Sequence, residues 1–266
     1  IPGPEHPEDL VITSLDKFPT VPPVLNKNLI YDVGMNNGND TEFYLKKGFN
    51  VVAIDANPLL CRQVAKRYAN YITSGQLKIL NIGINSTNEE KTLDFFVNIA
   101  NSAWSSFDQV VASRGYPVEK ISIKAVPTEA IIARFGVPYF AKIDIEGHDE
   151  YALTALARSK PNPKYLSYEN GTLPEFEVLV ECGYTKFNLV NQVNIHELKM
   201  PKPAKEGKYV DHKFKPGNSG PFGKELPGKW HDAKFMRKRL AEYQVERHDA
   251  LSKTFFIVWY DLHAGR

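Results

Sequence analysis

The sequence predicts an α/β protein built on a mostly parallel sheet with helices on both faces. Three observations predict it. Short apolar runs alternate with segments of helical spacing along most of the chain, as in consecutive β-α units. The runs are apolar nearly throughout, as in strands buried on both faces. Asp32, Asp55 and Asp144 stand where three of the runs end, and open parallel sheets bind ligands at the carboxyl ends of their strands.

The elements follow in order. Residues 1–27 are rich in proline, and "FPTVPPVL" excludes a long helix, so an extended arm around the core is expected. "NLIYDVGM" (28–35) reads as the first strand and "TEFYLKKG" (41–48) as a helix stopped by Gly48. Asp40 or Thr41 is placed to cap that helix. "NVVAIDANP" (50–58) is a second strand, "LLCRQVAKRYANYITSG" (59–75) a helix, and "QLKILNIGI" (76–84) a third strand. Two strand-like runs, 91–98 and 119–128, enclose the polar loop "SAWSSFDQ". A short helix is expected over 129–136, a fourth strand over 139–147, helices over 148–159 and 174–183, and strands over 164–171 and 184–191. Residues 192–252 break the alternation. They hold five prolines between Pro201 and Pro227, and only 232–244 looks helical. "KTFFIVWYDLHA" (253–264) is the last strand. The expected organisation is thus an N-terminal arm (1–27) and one domain (28–266) with a basic, proline-rich insert at about 192–252.

Composition narrows the function. With 42% hydrophobic and 24% charged residues the chain is an ordinary globular protein, and 266 residues suit one large domain. A net charge of +2 gives no clear sign of nucleic-acid binding. The insert is different: His196 to Leu240 carries twelve Lys and Arg against five Asp and Glu, an excess of seven positive charges. No run reaches the roughly 18 apolar residues of a membrane span. "IPGPEHPEDL" has no cationic and apolar leader pattern. Cys61 and Cys182 lack ligand spacing and are expected as free thiols, consistent with a reducing, cytoplasmic setting.

The turn after the first strand reads Asp-x-Gly-x-x-x-Gly, Asp32 to Gly38. The glycines are expected to let the backbone approach a ligand, and the first N–H groups of the next helix to face an anionic group. The Gly-x-Gly-x-x-Gly of nicotinamide sites and the Gly-Lys-Ser/Thr of phosphate loops are absent, which disfavours a pyrophosphate ligand and a nicotinamide oxidoreductase. An acid in the first strand suits a ligand with an ammonium and a sulfonium. Asp55, ending the second strand, stands where an acid accepts from a ribose diol. S-adenosylmethionine carries all of these groups.

On "DVGMNNGNDT" (32–41), "VVAIDANP" (51–58), "SSF" (105–107), "AKIDIEGHD" (141–149) and "WYDLHA" (259–264), the sequence resembles the FkbM-type S-adenosylmethionine-dependent methyltransferases. The resemblance covers most of residues 28–191 and the final strand. It implies a Rossmann-like class I methyltransferase fold, with a seven-stranded, mostly parallel sheet and the last strand antiparallel. It also implies methyl transfer to a hydroxyl, often on a sugar or polyketide-like acceptor. The acceptor is not transferable, because "SGPFGKELPGKW" (219–230) lies outside the shared core. The expected cofactor-binding residues are Asp32, Gly34, Asn36, Asn37, Gly38, Thr41, Asp55, Ala56, Gly83, Ile84, Ser105 and Asp144.

The second constellation is "KIDIEGHDE" (142–150). An alcohol is a poor nucleophile, so a base must take its proton. Glu146 or His148 is expected to do so, with Asp144 positioning the reactants. Alternatively Asp144, Glu169 and Asn170 hold a divalent cation that lowers the hydroxyl's pKa. Ser105 and Ser106 are placed to bond the methionine carboxylate or the acceptor, and Trp104 to wall the pocket. The expected partner is a small-molecule or glycan hydroxyl. The competing reading is a non-catalytic cofactor-binding or scaffold protein on the same fold.

Overall fold

The computed structural model describes residues 6–169, 171–253 and 259–266. In chain order the strands are β1 (Val11–Ile12), β2 (Leu25–Val33), β3 (Asn50–Ile54), β4 (Leu77–Leu80), β5 (Gly83–Ile84), β6 (Lys91–Asn98), β7 (Val118–Val126), β8 (Val137–Ile143), β9 (Tyr165–Glu169), β10 (Lys186–Asn191) and β11 (Tyr260–Gly265). The helices are α1 (Asn39–Lys46), α2 (Pro58–Arg67), α3 (Ala69–Thr73), α4 (Gln109–Ser113), α5 (Thr128–Phe135), α6 (Asp149–Arg158), α7 (Leu173–Glu181) and α8 (Ala233–Lys253).

The main sheet has the order β1-β4-β3-β2-β8-β9-β11-β10. All pairings are parallel except those of β11, which lies antiparallel between β9 and β10. The parallel α/β class and the antiparallel last strand therefore match expectation, while the count is eight rather than seven. The extra strand is β1, two residues of the proline-rich arm that pair with β4 and are fixed by Asn81 N–H donating to the Ile12 carbonyl at 2.8 Å. The two runs at 91–98 and 119–128 leave the main sheet altogether. As β6 and β7 they form a second sheet, β5-β7-β6.

Local chemistry sets the boundaries. Asn57 caps α2, its side chain accepting from the Leu59 and Leu60 amides, with Pro58 at the first position. The helix expected over 59–75 is two helices, because Tyr68 leaves helical torsions at φ −115°. Lys253, expected as strand, belongs to α8. Residues 254–258 of the expected last strand lie outside the described residues. The predicted cap of α1 is also corrected: Gly38 is the N-cap residue, without a side-chain cap bond. Asp40 instead accepts from the Ser219 and Gly220 amides at 3.0 and 3.3 Å.

Each face of the sheet has its own core. Leu153 and Leu156 of α6, Phe176 and Leu179 of α7, and Met236 and Leu240 of α8 cover the face that carries Tyr31, Ala141, Leu166 and Leu262. The other face carries Ile30 and Phe140 and is covered by α1, α2 and three insert residues, Ile195, Phe214 and Phe222. Thus residues 192–232, which contain only two short 3-10 turns, are packed structure. Phe222 stacks on Phe140 at 4.3 Å between centroids, and Lys47 and Glu225, both 1% exposed, form a buried ion pair at 2.7 Å.

On that second face a polar row crosses five strands at one level. Asp32 registers with Lys142, Lys142 with Ser167, Ser167 with His263, and His263 with Asn188. All five are buried. Burial pulls the His263 imidazole down to about 3, so it is neutral. The row forms the floor below the strand ends described next.

Candidate active site

Two turns meet at the carboxyl edge of the central strands. The first leaves β2 and the second leaves β8. They touch at Gly34, where an added Cβ would lie 1.7 Å from the Asp144 carbonyl oxygen. Gly34 also has φ +84°, so only glycine fits there. Gly38 is likewise structural: its Cβ would meet Val64 at 2.9 Å. Both glycines thus serve chain-to-chain packing at this edge.

Asp32 is fully buried. Its Oδ2 accepts from the Thr41 hydroxyl at 2.5 Å, and its Oδ1 lies 3.5 Å from Lys142 Nζ. Lys142 is the residue that joins the two turns. Its ammonium donates to the Gly34 carbonyl at 2.6 Å and lies 3.7 Å from Asp144. Burial alone would pull this ammonium down; Asp32, Asp144, Asp40 and Asp261 outweigh that and hold it charged. The sequence placed Lys142 beside Asp144 but gave it no role; the register of Asp32 against Lys142 is what reveals it.

Asp55 is half-buried at the end of β3. Its two oxygens accept from the Asn36 and Asn57 amides, each at 2.8 Å. Burial raises this carboxyl to about 6 against those bonds. Each oxygen keeps lone pairs for a further donor, so the group fits a ribose diol. Asn36 adopts φ +48°, a conformation asparagine tolerates, and this aims its amide at Asp55. Asn37 is exposed, and Ala56, which follows Asp55, is buried. At this edge Asp55 could hold a diol and Asp144 a cationic group.

The second turn is tightly held. Glu146 sits at φ +51°, costly for a non-glycine residue, and ion-pairs with Arg114. Burial and Asp144 raise its carboxyl to about 7, opposed by Arg114. Carboxylate oxygens of Asp144, Glu146 and Glu169 lie within 4.8 Å of one another. Burial, then Asp144 and Glu146, push Glu169 up to about 10. Asn170 lies outside the described residues. Asp149 accepts from the Ile145 and Gly147 amides at 3.1 and 3.2 Å, which shapes the turn.

His148 Nδ1 lies 3.2 Å from the Ile84 carbonyl. A carbonyl only accepts, so Nδ1 carries the hydrogen and Nε2 is free to take a proton. The ring stacks on Phe107 at 5.1 Å, and Phe107 fills the space a Cβ on Gly83 would need. Gly83 and Ile84 therefore join the second turn through Phe107 and His148. Ser105 accepts from the Asn98 amide inside its own loop. Ser106 reaches the site, donating to the Glu146 carbonyl at 2.7 Å.

The methyltransferase FkbM domain matches residues 32–215, which include both turns. The chain belongs to that family. Family membership accounts for the β2 and β8 turns and stops short of 219–230. No curated protein matches the chain. Among solved structures, the Geobacter metallireducens precorrin-6y C5,15-methyltransferase is similar at 11% identity and TM-score 0.36, over 95% of this chain and 84% of that one. An antibiotic-related methyltransferase is similar at 10% and 0.39, over 95% and 89%. A Haemonchus contortus phosphoethanolamine N-methyltransferase, in complex with S-adenosyl-L-methionine, is similar at 9% and 0.37, over 92% of this chain but half of that one. These likenesses are remote and bear on neither cofactor nor acceptor.

Proposed function

We propose that this FkbM-family chain transfers the methyl group of S-adenosylmethionine to a hydroxyl oxygen, on a sugar or natural-product acceptor. The observation that carries the reading is the junction at Lys142, which binds the Gly34 carbonyl and faces Asp32 and Asp144, so that the β2 and β8 turns meet at one sheet edge. When bound, the cofactor supplies an electrophilic methyl on a good sulfur leaving group. The chain's part is to align the acceptor oxygen, keep water out and take one proton. Asp55 holds the ribose end. Glu146, whose carboxylate points toward Asp144 and Glu169, takes the proton as the new carbon–oxygen bond forms and the carbon–sulfur bond breaks. Its value near 7 suits a base working at neutral pH. His148, tied to β5 and stacked on Phe107, is the alternative base through Nε2. Arg114 keeps Glu146 in place.

A second reading gives Asp144, Glu146 and Glu169 a divalent cation, favoured by their shared 4.8 Å neighbourhood. Both readings meet one experiment: labelled S-adenosylmethionine with sugar, polyketide-like and amine acceptors, with and without a chelator. Transfer to a hydroxyl acceptor that survives chelation supports the cation-free form, and loss on chelation supports the cation. Cofactor binding without transfer to any acceptor favours a scaffold, and transfer to amines alone contradicts the hydroxyl assignment.

A further inference from the structure

Three acids, Asp144, Glu169 and Asp261, stand where β8 and β9 end and β11 begins. Asp261 is directly opposite Glu169 in the sheet register, where like charges repel. Glu169 shares a neighbourhood of 4.8 Å with Asp144 and Glu146. The nearby cations face other acids. Lys142 lies against Asp32 and Asp144, and Arg114 against Glu146, so among the described residues Glu169 and Asp261 have no cation of their own. Beyond burial, the charges that push the Glu169 carboxyl up are all negative: Asp144, Glu146, Asp261 and Asp149.

Below these acids lie hydroxyls without partners. Ser167, 1% exposed, and Tyr44, 0% exposed, carry side-chain oxygens with no hydrogen-bond partner. Ser167 precedes Glu169 by two residues on β9, so both side chains stand on the same face of the sheet. Tyr44 faces the same acids from α1: burial, then Asp40, Asp32 and Asp261, push its phenol up. Each of these oxygens can accept from an N–H. A metal ion asks for a different arrangement. It needs oxygens converging at about 2.0–2.6 Å, and Asp261 lies outside the 4.8 Å group. Acids spread over two strands, above neutral hydroxyls, suit a larger cation that donates several hydrogen bonds, as an ammonium does.

We propose that Glu169 and Asp261 seat the ammonium of an amino alcohol, such as an amino sugar, whose hydroxyl on a neighbouring carbon meets Glu146. This rests on the methyltransferase reading and narrows its acceptor class to a cationic alcohol. The closeness of the Glu146 and Glu169 oxygens lets one molecule reach both. The ammonium nitrogen has no lone pair, so the methyl passes to oxygen. The hydroxyl proton goes to Glu146 and the electron pair of the carbon–sulfur bond to sulfur. The cofactor's own cationic groups belong with Asp144, a carboxylate other than these two.

The probes are glucosamine, glucose and N-acetylglucosamine, which share a ring and differ in charge at one position. They are titrated at neutral pH into the full chain saturated with the demethylated cofactor product, which prevents turnover, with magnesium chloride as a further arm. The expected result is glucosamine bound about tenfold or more tighter than either neutral sugar, the worth of one charge-assisted hydrogen bond. The variant Glu169→Gln/Asp261→Asn keeps the side-chain shapes and removes two repelling charges, so its urea midpoint should not fall below the parent's. Its preference for glucosamine should drop to about threefold or less. Glu169→Gln alone, at the less buried of the two positions, should already weaken the preference by about threefold or more, which keeps the test standing if the double variant does not fold. Equal affinities for the three sugars in the parent, no binding of any, a preference that survives unchanged in the variants, or magnesium bound with no glucosamine preference would each overturn the proposal. The cofactor titration is read separately. Failure of the parent to bind S-adenosylmethionine removes the methyltransferase reading, whereas cofactor binding with equal sugar affinities removes only this proposal.

Discussion

Replacing Lys142 by methionine removes the only cation in direct contact with Asp32 among the described residues. The volume is nearly kept, so little of the effect is cavity. Lys142 is 3% exposed and Asp32 fully buried. The variant leaves Asp32 with Thr41 as its hydrogen-bond donor and strips the Gly34 carbonyl of its 2.6 Å bond. Removing one partner of a buried ion pair costs about 3–5 kcal/mol, chiefly because the other charge is left uncompensated. The variant should unfold about 3–5 kcal/mol more easily in urea, and its thermal midpoint should fall by on the order of 10 °C. The diagnostic variant is Lys142→Met/Asp32→Asn. With the stranded charge neutralised, buried pairs of this kind are nearly neutral to replace, so more than half of the loss should return. A single variant that loses under about 1 kcal/mol, or a double variant no better than the single one, would refute the claim that Lys142 neutralises the junction.

The remaining predictions concern the cofactor side, the pH response and the insert. Asp55→Ala removes charge-assisted hydrogen bonds worth about 1.5–3 kcal/mol in all, and calorimetry should show S-adenosylmethionine binding weakened by about one to two orders of magnitude. Burial raises Asp40 and Glu146 to about 7 and Asp55 and Asp149 to about 6 in the folded chain, against ordinary values near 4 unfolded. Between those limits the folded state binds more protons, so stability of the cofactor-free protein should fall as pH rises from about 4 to 7; a midpoint that climbs over that range contradicts these assignments. With Glu146 as the proposed base, turnover should move the other way and rise through about pH 7. Glu225→Gln leaves Lys47 buried without its counter-charge and should cost about 3–5 kcal/mol, while an insert that is only a solvated basic face predicts no change in the urea midpoint.

The sequence was most legible where one residue's position carries the signal. Strand runs at 28–35, 50–58 and 139–147 and the acids ending them were readable because buried parallel strands are apolar throughout and ligand edges are not. The antiparallel place of the last strand came with the family resemblance. What stayed hidden depended on partners far apart in the chain. Two residues of the arm join the sheet through β4, a pairing no local pattern announces. The insert's excess of lysines left a solvated basic face, a cover over the site and an attractor of an anionic acceptor all open, and did not show that Glu206 and Glu225 are buried, where they accept from Lys224 and Lys205 amides and meet Tyr139 and Lys47. Its lysines remain outside. At the site, Glu146 and His148 were visible in "KIDIEGHDE", but Arg114 was not, being thirty-two residues from its partner. The glycines of the first turn were visible in sequence, but their packing against Asp144 and Val64 was not.

The central claim is that the β2–β8 edge is an S-adenosylmethionine site. Isothermal titration of the full chain with S-adenosylmethionine, its demethylated product and NAD tests it most directly. The account predicts saturable binding of the first two, weakened at least about tenfold by Asp55→Ala, and none for NAD. Binding of NAD in preference to S-adenosylmethionine, or affinity unchanged by the Asp55 substitution, would contradict it.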